Sequence, residues 1–264
     1  MNSSGKPPMG PVVTALAVAE GRHLLASRMF WSGLLIALLG TGVFIRSALA
    51  EESPTWDDDA WTMGVGFFLA AIFVMVAVNR AALRDRREHV VEQLNALPAP
   101  RSARVAGLFA GALWPAAVTS VLVAGGVLFA ATSLEVPAVS AFFVVHNAVL
   151  VLMLGAVGLV LATWMPSPFV APVVAFALFL IAPGETPAAW HVIWPFATLE
   201  TWGLIAWHIG YLLALALLFA AIASGRPDWR RGQTIVALMS GVAVVIALTV
   251  LISGVCPPRG PCLL

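Results

Sequence analysis

Long apolar runs separated by short polar segments occupy most of this sequence, and they constrain its fold more than any other feature. Of the 264 residues, 61% are hydrophobic and only 10% are charged. An apolar run of about 20 residues is long enough to cross the hydrocarbon core of a bilayer as a helix. Because a spanning segment must satisfy its own backbone hydrogen bonds, the sequence predicts an all-α, polytopic membrane helix bundle.

Six core spans and a seventh near the C-terminus are predicted. They cover residues 30–50, 61–78, 105–132, 140–164, 169–182, 203–223 and 234–255. The segment 169–182 is short for a crossing, but without it the arginines after the next span would face the opposite side from the others. The transmembrane domain is therefore assigned to residues 30–253, and residues 254–264 form a tail on the far side.

The distribution of basic residues predicts the orientation. All fourteen lysines and arginines fall on one side of this topology except Arg46 and Arg259. Since basic residues are enriched in cytoplasmic loops, the N-terminus is predicted to be cytoplasmic and the C-terminus extracytoplasmic. Residues 1–29 are predicted to form a cytoplasmic tail and a helix that lies along the interface before the first span.

The cytoplasmic segment 79–104, between the second and third spans, is the longest charged stretch of the chain. Its charged residues with a candidate role in contacting a partner are Arg84, Arg86, Arg87, Glu88 and Glu92. Its apolar residues recur at helical spacing and form one stripe: Val90, Val91, Leu94 and Leu97. The spacing of Arg84 and Glu88 also suits an ion pair on one helical face. Together these features predict a short amphipathic helix, 84–97, that presses against a soluble partner; the alternative is a solvated loop helix.

The third span begins with Gly107-x-x-x-Gly111, a spacing of small residues that permits close contact between helices. Pro115, a few residues later, is expected to bend this span because proline removes one helical hydrogen bond.

Polar residues inside the spans are few, and they are the candidates for a functional site. His146 and Asn147 lie in the fourth span and His208 lies in the sixth. One hypothesis is that they line a substrate path or bind haem. The alternative is that they form hydrogen bonds that only hold helices together.

The outer segment 184–202 is rich in aromatic residues and is predicted to dip into the membrane interface. Trp190, Trp194 and Phe196 are candidates for an outer gate. An aromatic belt at the membrane surface is the alternative interpretation.

Two further features bear on chemistry. The chain has no phosphate-binding loop of the Walker type and no cluster of residues at metal-ligand spacing, so neither an ATP site nor a metal site is predicted. Cys256 and Cys262 flank Pro-Pro-Arg-Gly-Pro on the predicted oxidising side, which favours a disulfide. Lipidation or two free thiols are the alternatives.

The central loop resembles the segment after the second span in ABC-2-type permeases, the membrane subunits of bacterial ABC exporters. The resemblance is carried by its arginine-rich start, by Glu88 and Glu92, and by the ending Leu94-x-x-Leu97-Pro98-x-Pro100-Arg101. The stretch Ala26-Ser27-Arg28-Met29-Phe30-Trp31 is similar to the elbow helix and the start of the first span in that family. The short fifth span and the outer aromatic segment resemble its re-entrant outer helices. The resemblance extends to about Arg231, and the seventh span and cysteine tail depart from it.

This resemblance implies a transporter subunit in the bacterial plasma membrane, surrounded by lipid and without catalytic residues of its own. ATP and Mg would bind a separate ABC ATPase subunit, and helix 84–97 would be the coupling helix that this ATPase moves. A second permease chain, identical or related, would complete a dimer that exports a drug, peptide or lipid-like substrate. No nucleic-acid partner is expected. The alternatives are a non-transporting membrane partner, such as a sensor or immunity protein, and a haem-binding membrane protein.

Overall fold

A computed structural model describes residues 9–50, 56–87, 100–133, 141–181 and 202–224, together with 239–241 and 244. The regular elements in this part of the chain are all α-helices, as the sequence predicts. In chain order they are α1 (Met9–Leu25), α2 (Arg28–Ala50), α3 (Trp56–Arg87), α4 (Arg101–Gly111), α5 (Leu113–Ser133), α6 (Ala141–Trp164), α7 (Val170–Ile181) and α8 (Trp202–Ser224).

Within the described ranges, three helical segments are long and apolar enough to cross a membrane. They are Gly66–Arg84 in α3, Arg101–Gly126 across α4 and α5, and Val144–Trp164 in α6. α1 and α2 meet the same criterion only as a pair, bent by 60°. Two further apolar segments, Val170–Phe179 in α7 and His208–Ser224 in α8, are shorter. These helices fit a multi-pass membrane bundle, while the total of six or seven crossings stays a prediction.

α3 forms the centre of the packed core. It packs along both α2 and α6, and α6 in turn packs against α5 and α8. Phe68 and Met75 of α3, Leu154 of α6 and Leu212 of α8 are fully buried in one shared apolar cluster. Since lipid is as apolar as these side chains, close packing and interhelical hydrogen bonds hold such helices together.

One close approach between helices joins α3 and α6. A Cβ atom at Gly158 would fall against the carbonyl oxygen of Met75 and 3.3 Å from the backbone nitrogen of Asn79. Asn79 is completely buried, and its Nδ2 donates a hydrogen bond of 3.2 Å to the carbonyl oxygen of Gly158. Because glycine has no side chain, the two backbones can approach closely enough for this hydrogen bond to form.

A second close approach joins α1 and α4, and it uses the small-residue spacing noted in the sequence. A Cβ at Gly107 would meet the side chain of Leu16, and one at Gly111 would lie 3.0 Å from the backbone nitrogen of Gly21. The predicted close helix contact is therefore confirmed. The partner is the N-terminal helix, which packs lengthwise on α4 in addition to preceding the first predicted span.

The helix of the third predicted span is interrupted at Ala112, between α4 and α5, and both parts together form one apolar segment, Arg101–Gly126. The bend expected at Pro115 stays a prediction. Ala112 donates backbone hydrogen bonds to Leu108 and Phe109 at 3.2 and 3.1 Å. Pro115 is the third residue of α5, where a backbone N–H is not needed for the helical ladder. The proline is accommodated because the break comes before it.

Candidate functional site

Two of the three predicted intramembrane candidates, His146 and His208, meet at the contact between α6 and α8, and the third, Asn147, follows His146 on α6. The imidazole rings of His146 and His208 are nearly parallel, with 5.2 Å between their centroids and 21° between their planes. The ring of Tyr211 lies 6.1 Å from that of His208. His146 and His208 are only 2% and 4% exposed, and Asn147 and Tyr211 are also buried. His146, Asn147, His208 and Tyr211 are named the intramembrane polar cluster below.

Tyr211 is the member of this cluster that the sequence analysis missed. It is the only tyrosine in the chain, and it follows His208 by three residues, which puts both side chains on one face of a helix. This spacing was a usable signal. The phenol adds a donor and acceptor beside two imidazoles and an amide.

The chemistry open to the cluster is hydrogen bonding in an apolar setting. Asn147 Nδ2 is buried and has no hydrogen-bond acceptor within the described ranges. The two imidazoles face each other closely, so a haem between them would require the rings to move apart. No group of three or more His, Cys, Asp or Glu in the described part of the chain is arranged to hold a metal ion. The cluster can therefore bind a polar group that enters between α6 and α8 if these helices separate.

Substitution of the stacked histidines measures how strongly α6 and α8 are joined there. We expect His146→Leu and His208→Leu each to lower the free energy of unfolding by about 1–2 kcal/mol, because each leaves the other imidazole buried beside an apolar side chain. The double variant should lose less than the sum of the two losses. Thermal unfolding in detergent checks this, with Val145→Leu on the exposed side of α6 as the control. If the loss in the double variant equals the sum of the two single losses, the two imidazoles do not interact directly.

The second candidate region lies where the central loop leaves and re-enters the helical core. Arg84 Nη2 donates to Glu20 Oε1 at 2.9 Å, which ties the end of α3 to α1. The Glu20 side chain is 17% exposed and that of Arg84 is 34% exposed, so the ion pair is partly buried. The chain returns at Pro100, and α4 then packs on α1. Both ends of the central loop are therefore attached to α1, and this arrangement is named the loop anchor.

The structure adds to the sequence prediction here and differs from it in one respect. The sequence pattern pairs Arg84 with Glu88, which lies outside the described residues, and the structure shows an ion pair of Arg84 with Glu20, 64 residues earlier. The predicted helix 84–97 was separate from the second span, whereas α3 continues without a break to Arg87. The long-range pair forms because α1 folds back along the end of α3, and a local helical pattern cannot reveal this.

Most of the other predicted site residues lie outside the described residues. Arg86 and Arg87 belong to the last turn of α3. Predicted residues outside the described ranges are Glu88, Val91, Glu92, Leu94 and Leu97 of the coupling helix, Trp190, Trp194 and Phe196 of the outer gate, and the pair Cys256 and Cys262. Their roles stay predictions.

No protein-family model matches this sequence, and a comparison with curated proteins finds no significant match.

Proposed function

We propose that this chain is the permease subunit of an ATP-driven ABC exporter, which moves an amphiphilic substrate by means of separate ATPase subunits. The observation that carries the proposal is the loop anchor, in which both ends of segment 79–104 are attached to α1. A loop that only followed the charge rule would not need a partly buried ion pair at one end and a glycine-based helix contact at the other. A loop that transmits a displacement from a partner protein does need both contacts. With flexible ends, the loop would move without displacing the helices to which it is joined.

The path of the motion follows from the helix contacts. The ATPase, holding ATP and Mg, moves the coupling segment 84–97, whose first residues continue α3. A displacement of α3 is passed to α6 through the contact between Asn79 and Gly158. α6 carries His146 against His208 of α8, so this movement alters the contact at the intramembrane polar cluster.

The substrate proposed for this chain is amphiphilic, such as a drug, a peptide or a lipid-like molecule. α6 and α8 consist mostly of apolar residues around the few polar side chains of the cluster, and binding sites for such molecules use few polar groups to orient a mainly apolar ligand. In this mechanism Trp190, Trp194 and Phe196 form the outer gate. A second permease chain supplies the other half of the path.

Charge reversal in the coupling segment tests the proposal. In membranes that also contain the ATPase, we expect Glu88→Lys with Glu92→Lys to reduce ATPase co-purification and substrate-stimulated ATP turnover by roughly tenfold. The physical reason is that the new lysines would oppose the basic groups that meet these carboxylates. Leu94→Asp should act similarly by introducing an unpaired charge into the contact. All variants should reach normal membrane levels, since the changes lie outside the predicted spans.

A matched control reverses two charges elsewhere. Glu51→Lys with Glu52→Lys changes the net charge equally on the predicted outer side and should leave ATPase association intact. Unchanged association and turnover in the coupling-segment variants would mean that the segment is a solvated loop. If no ATPase co-purifies with the native chain, a sensor or immunity protein becomes the better proposal, and a haem absorbance band would favour the haem-binding alternative.

A further inference from the structure

A cavity of about 280 Å³ lies between the end of α1 and the last turns of α3. Its polar lining consists of His23, Ser27, Arg80 and Arg84, and the remaining wall is formed by Leu24 and two alanines of α3. One lining residue, Arg84, also belongs to the loop anchor, but the mechanism proposed above assigns no ligand to this cavity.

The described wall of this cavity is basic. Two arginines and a histidine line it, and no carboxylate does so among the residues that the structure describes. Glu20 accepts a hydrogen bond from one guanidinium nitrogen of Arg84, whereas Arg80 makes no ion pair within the described ranges. The cavity therefore offers a binding place for an anion, and an arginine guanidinium suits phosphate oxygens in particular.

The start of α2 adds to this preference. Ser27 caps the helix, because its Oγ accepts the backbone N–H of Met29 at 3.3 Å. The first turn of a helix carries a partial positive charge that favours a nearby anion. The cavity thus combines side-chain cations with the positive end of α2, which has 23 residues.

An apolar surface begins one turn away from the cavity. The backbone N–H of Trp31 donates to the carbonyl oxygen of Ser27, and Trp31 and Leu35 continue along the same face of α2. Both side chains are exposed, as are Leu38 and Leu39 in the next turn. A ligand with a phosphate and a long apolar tail would match the cavity and this face together, whereas a free phosphate would use only the cavity.

We propose that this cavity binds the phosphate of an anionic phospholipid headgroup, with the acyl chains lying along the exposed face of α2. The cavity borders the final turns of the candidate span Gly66–Arg84, which is where a span meets the headgroup layer. Basic pockets at this level are suited to anionic lipid. The proposal does not depend on an ATPase partner.

Lipid retention by the purified chain tests the proposal. Native mass spectrometry in detergent, with phosphatidylglycerol or phosphatidylcholine added in equal amounts, should show preferential retention of one phosphatidylglycerol. Arg80→Gln should weaken this retention roughly tenfold, the loss expected for one hydrogen-bonded charge. Arg80→Lys should retain part of it. Arg22→Gln is the matched control, because Arg22 is exposed on α1 and does not line the cavity.

The possible results distinguish a phospholipid headgroup from free phosphate as the ligand of the cavity. Equal retention of the two lipids by the native chain, or equal losses in Arg80→Gln and Arg22→Gln, would overturn the proposal. Inorganic phosphate forms the third arm. If it displaces phosphatidylglycerol at equal concentration, the ligand is free phosphate and the lipid assignment is wrong. Circular dichroism of each variant checks that helical content is unchanged, so a loss of binding can be attributed to the cavity.

Discussion

Replacing Gly158 with leucine is expected to remove most of the protein from the membrane fraction. Even the first side-chain atom would overlap the carbonyl oxygen of Met75, which belongs to the backbone and has no rotamer to adopt. α3 and α6 would have to separate, and the hydrogen bond from Asn79 to Gly158 would break. We expect Gly158→Ala to lower the free energy of unfolding by about 3 kcal/mol or more, and Gly158→Leu to prevent stable folding.

The measurement is membrane abundance together with thermal unfolding in detergent. Gly125→Ala and Gly210→Ala provide matched controls, since a Cβ at either position meets nothing within 4 Å. Both should accumulate and unfold like the native chain. Native behaviour of Gly158→Leu would contradict the close contact between α3 and α6.

If the proposed function is correct, reversal of one charge in the loop anchor is expected to weaken coupling to the ATPase, and reversal of both is expected to restore it. Glu20→Arg sets a second guanidinium beside Arg84, and Arg84→Glu sets a second carboxylate beside Glu20. The pair is partly exposed, so we expect each single variant to lose only about 1–2 kcal/mol of stability. If the proposed function is correct, substrate-stimulated ATP turnover should fall roughly tenfold, because α3 would then move without α1.

The double variant Glu20→Arg with Arg84→Glu reconstitutes an ion pair of opposite direction. It should recover most of the turnover and stability lost in the single variants. Arg22→Glu, an exposed reversal on the same helix, serves as the control. If the double variant is as impaired as the sum of the single ones, the two side chains do not act as a pair.

Much of the helical framework could be predicted from the sequence. The predicted span 30–50 corresponds to the helix Arg28–Ala50, 140–164 to Ala141–Trp164, and 203–223 to Trp202–Ser224. The predicted helices are confirmed, because a run that is apolar on all sides favours a helix that satisfies its own backbone hydrogen bonds. Whether each of them crosses the membrane stays a prediction. The charged end of α3 was less predictable, since an arginine-rich sequence is compatible with either a loop or a continued helix.

The contacts between helices could be predicted only in part. The spacing of Gly107 and Gly111 indicated a close contact, but a spacing cannot identify the partner, which proved to be α1. His146 and His208 were recognised separately as polar residues in apolar spans, and their stacking depends on how α6 packs against α8. The pairing of Asn79 with Gly158 was missed, although a buried amide in one span and a glycine in another formed its available signal.

The packing of α1 on α4 also bears on how the chain is assembled during synthesis. α1 is made first, but the surface it covers is not made until α4, after two further helices have emerged. The intervening stretch is roughly 80 residues, so at about 5–20 residues per second the N-terminal helix waits on the order of ten seconds for its partner. During that interval the side of α1 that later meets Gly107 and Gly111 has only lipid, water or a chaperone against it. The junction between α1 and α4 therefore closes late, after the first and second predicted spans have been made, and a nascent chain stopped before residue 100 should leave α1 accessible to protease.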